Sequence, residues 1–150
     1  MIHSTAIIDP KAKIASNVSI GAYSVIGPKV EINENTIIDS HVNIIGNTKI
    51  GKNNKLYPFC SIGNDPQDLK FFGEQTNLEI GDNNKIREYV TINPGTKGGG
   101  GLTKVGSNCL FMVSSHIAHD CFVGDNVVLA NNVPLGGHAN IGDDVIIGGN

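Results

Sequence analysis

The sequence predicts an all-β fold, a parallel β-helix whose triangular coils take eighteen residues each. Three observations carry that prediction. Aliphatic residues recur at every sixth position, and a glycine or asparagine tends to follow them. The apolar residues are also mostly β-branched, with 20 Ile and 12 Val against 7 Leu among 150 residues. Such side chains lose rotamer freedom on helices and fit pleated surfaces.

The first run of the period is unbroken: Ile2, Ile8, Ile14, Ile20, Ile26, Ile32, Ile38, Ile44, Ile50, Leu56 and Ile62. Two positions before these anchors stand small or β-branched residues, as at Ala12, Val18, Ser24, Val30, Thr36, Val42 and Thr48. Residues i−2 and i share one face of a strand, so both point into a narrow interior. The Gly or Asn that follows is expected to relieve the backbone where it turns. Six residues make one strand and one corner, and three such sides close a coil. Coils stacked at about 4.8 Å make a prism roughly 34 Å long for seven turns. An amphipathic helix is excluded, because a step of six puts successive anchors on different helix faces. Cys60, Cys109 and Cys121 each lie two before an anchor, at the small inward position, and are expected to pack as buried hydrophobes.

The register resumes at Ile80, Ile86 and Ile92, and again from Val105 through Phe111, Ile117, Val123, Leu129, Leu135 and Ile141 to Ile147. Two inserted loops separate these runs. Between Ile62 and Ile80 the due anchors are Asp68 and Glu74, in a stretch that carries Phe71-Phe72. Between Ile92 and Val105 seven residues are extra, centred on Pro94 to Gly101. Solenoids put insertions on one face, often the binding face. The paired phenylalanines are read as a lid or a subunit contact.

The chain is read as one domain, residues 1–150. Its net charge of -3 argues against a protein that coats nucleic acid or an anionic membrane. No apolar run approaches eighteen residues, and the start, Met1-Ile2-His3-Ser4-Thr5, lacks the pattern of a signal peptide. Three cysteines form no disulfide framework, so a reducing, cytoplasmic setting is expected.

Histidine is the natural acid–base group near neutral pH. His3 and His41 read as solvated surface residues. The other three cluster. His119 and His138 follow the anchors Ile117 and Leu135, which are eighteen apart and so share one side of adjacent coils. Asp120 lies eighteen before His138, and His116 points outward from the strand of Ile117. An imidazole with a neighbouring carboxylate to orient it is what a general base needs. His116-x-x-His119 with His138 also leaves a zinc site open as a reading. The run Gly98–Gly101 lacks the spacing of a phosphate loop and precedes a strand, so that reading is rejected. Asp143-Asp144 and the pair Glu31, Glu34 read as solvated corners.

Several stretches together resemble one family, the UDP-N-acetylglucosamine O-acyltransferases of lipid A synthesis, among the hexapeptide-repeat acyltransferases. They are Gln67-Asp68-Leu69-Lys70, Gly73-Glu74, Gly98 through Gly106, His116-Ile117-Ala118-His119-Asp120-Cys121, Leu129 to Asn132, and Gly136-Gly137-His138. The resemblance implies a left-handed coil, a sense that spacing alone does not give. It implies that His119 deprotonates the glucosamine 3-hydroxyl of UDP-N-acetylglucosamine for attack on a 3-hydroxyacyl thioester of acyl carrier protein. Asp120 would orient His119, and the Gly137 N–H would help hold the oxyanion. Asp68, Lys70, Gln67, His116 and His138 would contact substrate. It further implies a homotrimer with sites between subunits, no metal and no cofactor. Members of the family continue through more coils to a helical C-terminal region, whereas this sequence stops at Asn150. It is therefore expected to be a truncated portion with little turnover of its own. Rival readings are an acetyl-CoA-dependent hexapeptide acetyltransferase, a zinc carbonic anhydrase on the same helix, and a non-catalytic solenoid.

Overall fold

A computed structural model describes residues 1–149 and shows three parallel sheets of seven strands each. The first sheet runs from Ile7–Ile8 to Pro134–Leu135, the second from Lys13–Ile14 to Asn140–Ile141, and the third from Ser19–Ile20 to Ile146–Ile147. The chain visits them in turn, so each strand pairs with the equivalent strand one coil away. Anchor stacks on anchor: Ile8 on Ile26, Ile44 on Ile62, Ile92 on Ile117. The three sheets wall a core in which the anchors from Ile20 to Ile92, and Phe111, are almost wholly buried. All three cysteines are buried and free. Burial pushes the Cys60 thiol up to about 12, which leaves it inert as a nucleophile.

The corners divide the labour differently from the simple expectation. Except at Gly63, whose φ is 78°, the residue that takes the left-handed turn is not the glycine after the anchor but one two positions later. Where the second sheet passes to the third it is Asp144 in the last corner and asparagine in the others: Asn17, Asn35, Asn53, Asn83, Asn108 and Asn126, with φ between 56 and 61°. Asparagine tolerates that region at low cost. Several of the glycines after the anchors, Gly21, Gly51, Gly81, Gly106 and Gly124, answer a different demand, close approach. A Cβ on Gly21 would lie 2.6 Å from the carbonyl carbon of Asp39, in the next coil.

Where the third sheet passes to the first, the left-handed position is Ser114 and Asn132 in the later coils but aromatic in the earlier ones: Tyr23, His41, Phe59 and Tyr89. Their rings stack in a column with centroids 5.2 Å apart. His41 is thus exposed, as read from the sequence, but its ring is sandwiched between two others.

Polar side chains also stack inside the corner between the second and third sheets. The Asn54 amide donates to the Gly81 carbonyl at 2.8 Å, and Asn54 Oδ1 accepts from the Asn84 N–H at 2.9 Å. Asn84 repeats the pattern, donating to Gly106 at 3.0 Å and accepting from the Cys109 N–H at 2.8 Å. Buried polar groups must be paired, and these four bonds meet that demand for the corner. The outer acids of the same corner are caps rather than idle charges: Asp143 Oδ1 accepts from the Asp125 N–H and Asp125 Oδ1 from the Ser107 N–H, both at 2.7 Å. On the outer surface of the second sheet the charges alternate from coil to coil, Lys13, Glu31, Lys49, Glu79, Lys104.

Both insertions, residues 63–76 and 93–101, leave at the one corner between the first and second sheets. His119-Asp120 and Gly137-His138 lie on that same corner, in the coils that follow.

Replacing Asn84 with Leu keeps the bulk but orphans the Cys109 N–H and the Gly106 carbonyl. We expect a loss of about 2–4 kcal/mol, read from the midpoint of denaturant unfolding.

Candidate active site

Asp120 takes the left-handed corner position, with φ 58°, and turns its carboxylate inward to complete burial, the side chain being 0% exposed. His138 takes the equivalent position one coil on, with φ 65°, and donates its N–H to the His119 carbonyl at 3.0 Å. That shared corner geometry brings the three side chains together. His119 Nδ1 lies 2.8 Å from Asp120 Oδ2, and the His119 and His138 rings meet edge to face with centroids 5.0 Å apart. His138 Nδ1 is 3.9 Å from the same carboxylate oxygen and its side chain is 60% exposed, so it stands at the mouth.

A buried carboxylate is costly unless its oxygens are occupied. Here Oδ1 accepts from the Thr96 N–H at 2.8 Å, and Oδ2 accepts from the Thr96 hydroxyl at 2.6 Å as well as from His119. The Asp120 N–H donates to the Thr103 hydroxyl at 2.8 Å. Burial pushes the Asp120 carboxyl up, but the Thr96 hydroxyl and amide, with His119, outweigh it and hold the group below its ordinary value. An ionised carboxylate only accepts, so the hydrogen-bond network assigns the proton of neutral His119 to Nδ1 and leaves Nε2 with its lone pair.

Gly137 sits against the other side of the ring. A Cβ there would lie 2.5 Å from His119 Cε1 and 2.7 Å from Nε2, so only glycine leaves the imidazole its place. His116, on the strand His116–Ile117, bonds through Nδ1 to the Thr91 hydroxyl at 2.6 Å. Burial depresses its pKa, with His119 as a neighbouring charge adding to the effect.

The zinc reading needs His116, His119 and His138 to converge. The group whose donor atoms do converge, within 4.8 Å, is His119, Asp120 and His138. Its carboxylate oxygens and His119 Nδ1 are already spent on one another and on Thr96.

Asp68 and Lys70 line a cleft of about 610 Å³ between the two insertions, with Phe72, Glu74, Thr96 and Lys97 around them. Asn93 and Lys97 tie the loops together, the former through its side chain to the Asn64 carbonyl at 3.1 Å, the latter through its N–H to Glu74 at 3.4 Å. Gln67 is exposed on the same insertion but is not among the residues lining that cleft. Phe72 is 91% exposed beside it, while Phe71 is half-buried. Thr96, Thr103, Gly99 and Thr91 were not singled out from the sequence. The insertions destroy the spacing of eighteen by which corner neighbours are recognised, so Thr96 and Asp120 give no periodic signal.

A profile described as bacterial transferase hexapeptide (six repeats) matches residues 1–34. The chain is 56% identical over 149 residues to the acyl-[acyl-carrier-protein]–UDP-N-acetylglucosamine O-acyltransferase of Herminiimonas arsenicoxydans, covering 99% of this chain and 57% of that protein. The protein of the same name from Aliarcobacter butzleri (strain RM4018) is also 56% identical, over 148 residues and 57% of its length. By sequence, the chain is similar to UDP-N-acetylglucosamine O-acyltransferases over nearly all of its own length. The fold agrees: the crystal structure of UDP-N-acetylglucosamine O-acyltransferase from Moraxella catarrhalis RH4 superposes with a TM-score of 0.97 at 55% identity, over 99% of this chain and 58% of that one. The solenoid is accordingly the left-handed parallel β-helix. The chain thus spans a little over half the length of these relatives.

The folded-state pKa of Asp120 is lowered, so its contribution to stability is present above the unfolded value, about 3.9, and is lost as pH falls through the folded one. The difference in melting temperature between the native protein and Asp120→Asn should shrink steadily as pH falls below about 4, as followed by thermal unfolding.

Proposed function

We propose that this protein is an enzyme that moves a 3-hydroxyacyl chain from acyl carrier protein to the glucosamine 3-hydroxyl of UDP-N-acetylglucosamine, the first step of lipid A synthesis. The observation that carries the reading is the pair His119–Asp120: Nδ1 is committed to a buried carboxylate at 2.8 Å, which leaves Nε2 free to take a proton. Support for the substrates comes from the relatives, whose name states both of them.

In this reading Nε2 removes the hydroxyl proton as the sugar oxygen attacks the thioester carbonyl carbon. Asp120 stabilises the imidazolium so formed. The oxyanion falls to the Gly137 N–H, which makes no hydrogen bond among the described residues. Collapse breaks the carbon–sulfur bond, and the departing thiolate recovers the proton from His119. His116 and His138 border the reacting groups, and Asp68, Lys70 and Gln67 reach the nucleotide sugar from the first insertion. The assembly is a homotrimer whose sites lie between subunits, and the setting is cytoplasmic. No helix among the described residues is long and apolar enough to cross a membrane.

The test is acyl transfer from 3-hydroxyacyl acyl carrier protein to UDP-N-acetylglucosamine by the natural polypeptide in full. His119→Ala should lower kcat by at least about 10²-fold while the β-helix stays folded. Unaltered transfer by that variant would remove His119 from the chemistry, and transfer from acetyl-CoA instead of the carrier protein would replace the donor.

A further inference from the structure

The insertion 93–101 is longer than a corner needs, and its hydrogen bonds converge on Thr96, which is 4% exposed. The Thr96 carbonyl accepts from the Gly99 N–H at 3.1 Å and the Gly101 N–H at 2.8 Å, closing a single 3-10 turn over Lys97–Gly99. With the carbonyl fixed on one side, the amide and hydroxyl of the same residue face the other way, onto the two oxygens of Asp120. The glycine run makes that possible. Gly100 and Gly101 have φ of 99° and 78°, and a Cβ on Gly99 would overlap the Asp120 carboxylate. Thr103, just beyond the loop in the strand Leu102–Val105, anchors the Asp120 backbone from below.

We propose that Thr96 is the positioning residue of this site: its hydroxyl and amide lock Asp120 in the rotamer that presents Oδ2 to His119 Nδ1, and thereby fix the imidazole in the tautomer with a basic Nε2. The physical reason is the count of partners. A fully buried carboxylate with three donors has one orientation that satisfies them all. Without the hydroxyl, Oδ2 keeps His119 as its only donor, and the carboxyl either turns or takes up a proton. In both cases it ceases to hold the proton on Nδ1. The insertion, on this account, is a clamp for the acid of the dyad and not merely a wall of the cleft.

The experiment compares Thr96→Val, which removes the hydroxyl and keeps the shape and the amide, with Thr96→Ser, which keeps both donors. Two readouts are taken on the natural polypeptide in full: the ¹⁵N shifts of the His119 ring, which report its tautomer, and the kinetics of acyl transfer. Thr96→Val is expected to turn a single Nδ1–H tautomer into a mixture and to lower kcat by about ten- to a hundredfold with KM within about twofold. Thr96→Ser should restore both to within about threefold. A Thr96→Val protein that keeps the single tautomer and a kcat within about twofold of the parent overturns the proposal. The kinetic arm rests on the acyl-transfer reading and the NMR arm does not. If the parent transfers no acyl group, that reading fails while the tautomer still decides the role of Thr96. Should Thr96→Val not fold, Thr96→Ala removes the same hydroxyl with less bulk and is judged by the same outcomes.

Discussion

Every coil of this protein must hand its backbone hydrogen bonds to the coil above, and that single demand orders everything else. Because a strand can pair only with its own equivalent one turn later, a residue's nearest neighbours are those eighteen positions away wherever no insertion intervenes. The interior becomes a column of isoleucines, one corner a column of asparagines in left-handed conformation, and another a stack of rings. The proposed active site obeys the same rule. Asp120 and His138 are the same corner position in successive coils, which is why two side chains far apart in function share one backbone geometry.

Most of the architecture was legible from the period of six, since an anchor every sixth residue allows few other backbones. The meeting of His119, Asp120 and His138 was legible too, because those coils are free of insertions and eighteen counts correctly there. Two kinds of fact were not. The glycines after the anchors look like turn formers in the sequence, yet most turns are made two positions later by asparagine, aspartate, serine or aromatic residues, and Gly21, Gly51, Gly81, Gly106 and Gly124 yield room to the neighbouring coil. Tight approach between chains leaves no periodic trace that separates it from turning. Thr96 escaped for the opposite reason: its partner lies across an insertion, where counting fails and only three-dimensional packing tells which donor reaches which oxygen.

The site also shows what insertions add to a rigid scaffold. The helix supplies the imidazole, the carboxylate and a glycine shaped around the ring, all on paired backbone. The two insertions add what a bare corner lacks, namely donors for a buried acid and the walls of a cleft with Asp68 and Lys70 on one side. Each insertion begins where the first sheet ends, so neither disturbs the stacking of the other two corners.

A stack of near-identical turns carries a particular hazard: a nascent strand can skip a turn and still find an isoleucine to match. The outward row on the second sheet guards against that. In proper order Lys13 meets Glu31, at 3.7 Å, and each later charge meets its opposite. Skip one winding and lysine faces lysine, glutamate faces glutamate, a juxtaposition that repels across strands. The row adds little to the finished molecule, exposed as it is, but it makes the miscounted assembly the worse one.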